Sequence, residues 1–421
     1  MTVLIAGAGI GGLTLALSLH QVGIPFRIFE AVREMRPLGV GINVQPHAVR
    51  ELFELGLEDQ LEAIGLRTKQ VGYYSAQGGE IWREDRGMFA GYNWPQYSIH
   101  RGDMQMMLLN EVIKRAGPEA VVMGAALSDW REGEGGVEID LMDRETGEKH
   151  SSARGAVLIA ADGINSVARA KLYPDEGAAH WGGVMMWRGV TRGPNFLGGR
   201  TMAMAGRRDA KFVCYPIQEF DDGTCLINWI ADLLLPEDYQ WREQDWNREG
   251  ARADFANTFA EWRFDWLDVP KVIEEAEGIY EYPMVDRNPL PKWTHGRATL
   301  LGDAAHAMYP IGSNGASQAI LDGRVLAREL RDHGIGAGAL QAYEDVRREV
   351  VNAIVLANRG DGPDKVLDIV ALKAPDGFAH IHDVLSAEEL EKIAGGYKAL
   401  AGMDIEALNA RAPLLPMPQT A

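Results

Sequence analysis

Cysteine is close to absent: Cys214 and Cys225 are the only two among 421 residues. That excludes a disulfide framework and any Cys-rich zinc or iron-sulfur centre, and it points to a reducing, cytoplasmic setting. A basic surplus is also missing. The 42 Lys and Arg face 60 Asp and Glu, a formal charge of −18, which repels nucleic acid and anionic membrane alike. Long apolar runs are scarce as well. The charge-free stretch from Met1 to Phe26 is broken by Gly7, Gly9, Gly11 and Gly12 and has no basic start, so it reads as folded structure rather than a signal peptide or membrane span. What remains is the composition of a globular protein, 46% hydrophobic and 24% charged, long enough for two or three domains at roughly 150 residues each.

Val3 to Ala6 is a short apolar run ending in glycines, and Leu13, Ala16, Leu17 and His20 follow at helical spacing. With a second strand at Arg27 to Glu30 this is a βαβ opening, the first part of a doubly wound α/β sheet. Helices are expected around Ala48 to Leu55 and Met104 to Val112, a small antiparallel meander from Val121 to His150, and buried strands at Val157 to Ala161 and Arg297 to Leu301. Between Gly182 and Tyr282 strand-like, aromatic-rich runs dominate: Val184 to Val190, Thr201 to Ala205, Phe212 to Ile217, Cys225 to Ile230 and Ile279 to Val285. The expected architecture is therefore an α/β domain over 1–180 and 286–360, an inserted, mostly antiparallel β-sheet domain over 181–285, and a helical extension over 361–421. In that extension Ser386 to Glu389 has the pattern of a capping box, and the Pro-rich end from Pro413 to Pro418 is expected to fray.

Gly7-Ala8-Gly9-Ile10-Gly11-Gly12 fits G-x-G-x-x-G between strand and helix, and Glu30 follows at the distance of a ribose-binding carboxylate. Such a turn admits a pyrophosphate against backbone amides at a helix N-terminus. By itself it does not separate NAD, NADP and FAD.

Two further segments narrow the choice. Ala161-Asp162-Gly163-Ile164-Asn165-Ser166-Val167-Ala168-Arg169 and Gly302-Asp303-Ala304-Ala305-His306-Ala307-Met308-Tyr309-Pro310 each follow a buried strand. With the fingerprint they resemble the flavoprotein aromatic hydroxylases, single-component FAD-dependent monooxygenases, over Met1 to Arg359. The runs at 37–43, 97–102, 186–190 and 282–287 are most similar to the phenazine-modifying members. The resemblance implies a Rossmann-like FAD-binding domain with an inserted substrate domain, the para-hydroxybenzoate-hydroxylase-like fold. It also implies roles. Asp162 would lie near the pyrophosphate, Arg33 on the adenosine side, Arg101 and Gly302-Asp303 along the phosphate and ribityl chain. Val40, Gly41, Pro310, Gly312, Gly315 and Ala316 would border the flavin. Ser313 and Ser317 depart from the family's usual glycine and asparagine.

The same resemblance implies that NADH or NADPH, bound transiently, reduces FAD, and that O2 then forms a C4a-hydroperoxide that hydroxylates an electron-rich aromatic or N-heteroaromatic ring: phenazine-, quinoline- or phenolic-acid-like. The protein would be a monomer or homodimer. Trp187, Asn228, Trp229, Tyr282 and Pro310 are expected to wall the substrate. Arg188, Lys211 and Tyr215 are the catalytic candidates: Lys211 to bind a carboxylate or phenolate, Tyr215 to polarise or deprotonate a ring hydroxyl. An FAD-dependent dehydrogenase or oxidase, or a non-catalytic FAD-binding protein, stays open. His306 reads as structural, and His380 with His382 lacks the further ligands a metal needs.

Overall fold

The computed structural model describes residues 2–37, 39–239, 248–360, 362, 364–400 and 404–416. Six strands form one sheet in the order Thr294–His295, Ala298–Leu300, Val157–Ala160, Val3–Ala6, Phe26–Glu30, Val121–Met123. The central pairings are parallel, and Val3, Leu4, Ile5, Val157, Leu158 and Ile159 are fully buried. A parallel strand covered on both faces, here by helices on one side and the meander on the other, must be apolar at every position, which is why these short runs read so clearly. Val121–Met123 joins this sheet rather than the meander, whose three strands run Ala126–Gly133, Gly136–Met142 and Lys149–Gly155. Its three apolar residues in a row lack the alternation of the meander strands.

A seven-stranded sheet runs Ile279–Asp286, His180–Pro194, Thr224–Leu234, Ala210–Glu219, Thr201–Arg207, Gln70–Tyr74, Glu80–Asp85. The first five are the strands expected of the inserted segment. The last two come from earlier in the chain, and Gln70–Tyr74 pairs parallel to Thr201–Arg207, covering an edge that would otherwise present unpaired amides. One face of this sheet packs an aromatic core of Trp187, Phe212, Trp229, Phe255 and Phe259, with the free thiols Cys214 and Cys225. The opposite face carries Met202, Met204, Val213 and Tyr215, and against it lie Val366, Leu367 and Val370 of the helix Lys365–Lys373. Among the described residues no helix is long and apolar enough to cross a membrane.

The capping box forms as expected. Ser386 N–H donates to Glu389 Oε2 (2.7 Å) and Glu389 N–H to Ser386 Oγ (3.2 Å). The tail does not fray where it is described: Leu415 is 1% exposed, and Pro416 O accepts from Gln21 Nε2 at 2.6 Å. Residues 417–418 lie outside the described residues.

The long helix Gly315–His333 is fixed to the helix Pro46–Glu54 by charge. Arg324, fully buried, sits 3.2 Å from Glu51 and 3.4 Å from Glu54. Arg411 reaches the same Glu51. Removing one partner from a buried pair leaves the other uncompensated, so Arg324→Met is expected to lower the unfolding free energy by about 3–5 kcal/mol. Urea unfolding of the apoprotein measures it; a loss under ~1 kcal/mol would show that Arg411 and Arg50 suffice.

Candidate active site

The two sheets meet across a cavity of about 470 Å³. Its cofactor-facing wall is made of glycine turns. Gly7 has φ +106°, and a Cβ there would lie 2.3 Å from Ala161 O, so the strand-to-strand approach alone demands glycine. A Cβ at Gly12 would meet Gly7 O at 2.2 Å, which sets the helix against the strand. Gly9 is different: φ is −71° and a Cβ would touch nothing within 4 Å. The protein itself does not need glycine at 9. What needs it is a ligand backbone or phosphate lying directly against the turn.

Opposite this turn, Asp303 opens the short helix Asp303–His306, exposed and with no ion pair among the described residues, as is Arg101 at the start of the helix Arg101–Ala116. The helix Gly315–His333 has no side-chain cap, and its first backbone bond is Gln318 N–H to Asn314 O. The amides of Gly315, Ala316 and Ser317 are therefore left without helical acceptors at the cavity wall. An exposed carboxylate, an exposed guanidinium and a helix N-terminus fit the hydroxyls, phosphates and electron-rich ring edge of FAD.

The two sequence segments turn out to be one construction. Asp162 Oδ2 accepts from Val167 N–H (2.8 Å) and so starts the helix Val167–Leu172. That helix carries Arg169, 2% exposed, whose Nη1 donates to Ala304 O and Ala305 O (3.1 and 2.8 Å). The Asp-Gly segment thereby holds the Gly-Asp segment.

Across the cavity the seven-stranded sheet presents alternate residues. Met186 and Arg188, Asn228, Ile230 and Asp232, Lys211, Val213 and Tyr215 share one face by register. Arg188 Nη2 donates to Gly41 O (2.8 Å), and Gly41 N–H donates to Asn228 Oδ1 (2.6 Å). Arg188 packs over the Tyr282 ring at 5.9 Å, and no carboxylate among the described residues lies within ion-pair distance of it. Burial pushes Tyr215 up to about 12, outweighing its hydrogen bonds to Arg188 and Asn43. Lys211 lies 2.5 Å from Asp364 and 3.4 Å from Asp232; burial acts to lower its pKa, but the two carboxylates hold it above the ordinary lysine range.

A family described as FAD binding domain matches residues 1–358. The chain belongs to this FAD-binding family. It is 46% identical over 363 residues to the phenazine 1,6-dicarboxylic acid hydroxylase PhzS of Lysobacter antibioticus, covering 85% of this chain and 89% of that protein. It is 32% identical over 358 residues to the aurachin C monooxygenase/isomerase of Stigmatella aurantiaca, covering 84% and 87%. A variant of HpxO from Klebsiella pneumoniae, solved in complex with FAD, superposes with a TM-score of 0.72 at 25% identity over 96% of this chain and 94% of that one. The chain is thus an FAD-dependent monooxygenase of the aromatic hydroxylase class with a para-hydroxybenzoate-hydroxylase-like fold, a class for which NAD(P)H and O2 are the typical cosubstrates.

The cavity brings together Gly9, Ile10, Gly11, Gly12, Gly41, Arg101, Arg188, Lys211, Tyr215, Gly302, Asp303, Pro310, Gly312, Gly315 and Ala316. Outside its wall lie Gly7, Glu30, Arg33, Val40, Asp162, Trp187, Asn228, Trp229 and Tyr282. Trp187 and Trp229 are corrected from substrate wall to core. They alternate with Arg188 and Asn228, so the pleat sends them to the far face, where Trp187 stacks on Phe255 at 5.0 Å and Trp229 on Phe212 at 5.9 Å. Asn228 braces Gly41, and Tyr282 supports Arg188 from a cluster with Met186 and Met284. Arg33 is turned to Asp143 and Glu145 (2.7 and 3.3 Å). Glu30 accepts from Ala8 N–H (2.7 Å). Lys211 is no open anion site, since a ligand carboxylate there would meet two carboxylates. Tyr215, with its pKa raised by burial, holds its hydroxyl proton at neutral pH and has it to offer as a donor. Ser317, in place of the usual asparagine, accepts from Gln45 N–H (3.1 Å). Met186, Val213 and Ile230 were missed; stepping by two from Arg188 and Tyr215 finds the first two.

Gly9→Ala is expected to leave the apoprotein's melting temperature within a few degrees and to weaken FAD binding at least about tenfold, while Gly7→Ala prevents folding. Flavin retention and thermal melts of both variants measure this. Full FAD affinity in Gly9→Ala would remove the phosphate from that turn.

Proposed function

We propose that the enzyme hydroxylates an electron-rich N-heteroaromatic carboxylate of the phenazine type, in the cytoplasm. The observation that carries the reading is Arg188, a half-buried cation in the cavity wall without a carboxylate partner among the described residues. The 46% identity to a phenazine dicarboxylic acid hydroxylase supports the ring system, and the unpaired thiols Cys214 and Cys225 agree with a reducing compartment.

Bound FAD supplies the electron path from NAD(P)H to O2 and the activated oxygen. The chain's own residues do the rest. Arg188 takes the substrate carboxylate as a charge-assisted pair, and its bond to Gly41 O keeps that anchor in register with the flavin-edge strand. Met186, Met202, Met204 and Met284 form a polarisable, apolar wall that accommodates a flat ring and excludes water. Tyr215 donates a hydrogen bond to an oxygen or ring nitrogen as charge develops there. The N–H groups of Gly315 to Ser317 would favour negative charge on a flavin ring edge held against them.

Arg188→Met is expected to raise KM for phenazine-1-carboxylate about 10- to 100-fold, the worth of a hydrogen-bonded charge, with flavin content retained. NAD(P)H oxidation, hydroxylated product and hydrogen peroxide are quantified together. An unchanged KM, or no stimulation of wild type by any aromatic carboxylate, overturns the reading. Because the folded-state pKa of Tyr215 is raised to about 12, Tyr215→Phe is expected to lower the ratio of product to peroxide without moving the pH profile of turnover between about pH 6 and 9. A profile limb that vanishes with the hydroxyl would make Tyr215 a base after all.

A further inference from the structure

Lys211 and Asp232 are direct cross-strand partners on the cavity face of the sheet. The third member of their cluster, Asp364, arrives from the segment just before the helix Lys365–Lys373, beyond residue 358, where the family match ends. One ammonium thus faces two carboxylates, through Asp232 Oδ2 and Asp364 Oδ2. All three residues line the cavity. Their remaining oxygens, Asp232 Oδ1 and Asp364 Oδ1, are buried and have no hydrogen-bond partner among the described residues, and Asp232 is 4% exposed. Buried carboxylate oxygens are almost always satisfied; in a cavity wall, the donor comes from whatever occupies the cavity.

We propose that Asp232 and Asp364 form an acceptor subsite for a hydrogen-bond donor on the substrate (a ring hydroxyl, amine or N–H), with Lys211 as their shared counter-ion. Asp232 lies two residues along its strand from Ile230, the cross-strand partner of Arg188, so the subsite sits about 7 Å from the anion anchor. The ligand it selects carries a carboxylate and, roughly one fused ring away, a donor. Half of this selection comes from a residue outside the family domain. Lys211 does not bind the substrate directly; it positions the acceptors and keeps two carboxylates from repelling each other in a buried wall.

The inference rests on the aromatic-carboxylate reading of the same cavity, and the test separates the two. The FAD-loaded enzyme is titrated with 7-hydroxyphenazine-1-carboxylate and with its 7-methoxy counterpart, following the flavin absorbance, in wild type, Asp232→Asn and Asp364→Asn. Wild type is expected to bind the hydroxyl compound at least about tenfold more tightly, as a hydrogen bond to a charged group implies. In the variants the Asn oxygen stays on Lys211 and the NH2 faces the ligand, so the preference falls below about threefold or reverses. A wild-type preference below threefold overturns the subsite and leaves the carboxylate reading standing, and so does a tenfold preference that survives in both variants. If neither compound perturbs the flavin of wild type, the carboxylate reading fails and the subsite fails with it. Should Asp232→Asn not yield folded, FAD-loaded protein, Asp364→Asn decides alone.

Discussion

The carboxylate of Asp322 joins three parts of the chain at one point. It is fully buried on the helix Gly315–His333, accepts Gly302 N–H at 3.1 Å and contacts His306 Nε2 at 2.6 Å and Arg347 Nε at 2.8 Å. The glycine-aspartate turn, the helix whose N-terminus faces the cavity and the long helix Ala337–Gly360 are thereby fixed to one point. Burial pushes the Asp322 pKa up, but His306 and Arg347 outweigh it and hold it at about 2. A carboxyl depressed in the folded state adds stability above its unfolded pKa, near 4, and loses it only as pH falls through about 2. The junction is therefore intact throughout the physiological range. With the turn held from beneath by Asp322 and from the side by Arg169, the Asp303 carboxylate needs no protein partner and is left for a ligand.

The period of two along the central sheet decides the other wall, and it also decides how far the sequence could be read. Val3–Ala6 and Val157–Ala160 were legible almost to the residue because a doubly covered parallel strand has no polar positions to blur its ends. The five antiparallel strands were legible from their aromatic alternation. Choosing Trp187 beside Arg188, and Asn228 beside Trp229, weighed residue type above parity, and adjacent residues of a strand cannot face one cavity. Arg188 fixes the parity, and everything two steps away follows.

Other parts carried no local signal. Arg33 finds Asp143 across 110 positions of sequence, and Lys211 finds Asp364 across 153; long charged side chains take whichever partner the fold brings near. Nor does the pattern of Gln70–Tyr74 say that it pairs with Thr201–Arg207. That pairing answers a need of the sheet edge, visible only once the sheet exists. The glycines were the opposite case: the sequence shows four in a row of six, yet only the geometry separates Gly7 and Gly12, which the protein needs for its own packing, from Gly9, which it does not.

Charge in the cavity has to be considered against the whole molecule. At −18 the protein repels an aromatic carboxylate at long range, though salt screens that field within about 8 Å. Attraction must therefore be local, and it is strongest where solvent is excluded. Arg188 meets both conditions, half-buried and with no carboxylate at ion-pair distance among the described residues, whereas Lys211 in the same wall pairs with two. The two cations thus have opposite consequences. One leaves a positive site next to Gly41; the other leaves a small excess of negative charge two residues further along the sheet. On the proposed reading, an aromatic acid entering the cavity would meet a polarity gradient parallel to the strands, and that gradient would orient the ring before any reacting atom is in place.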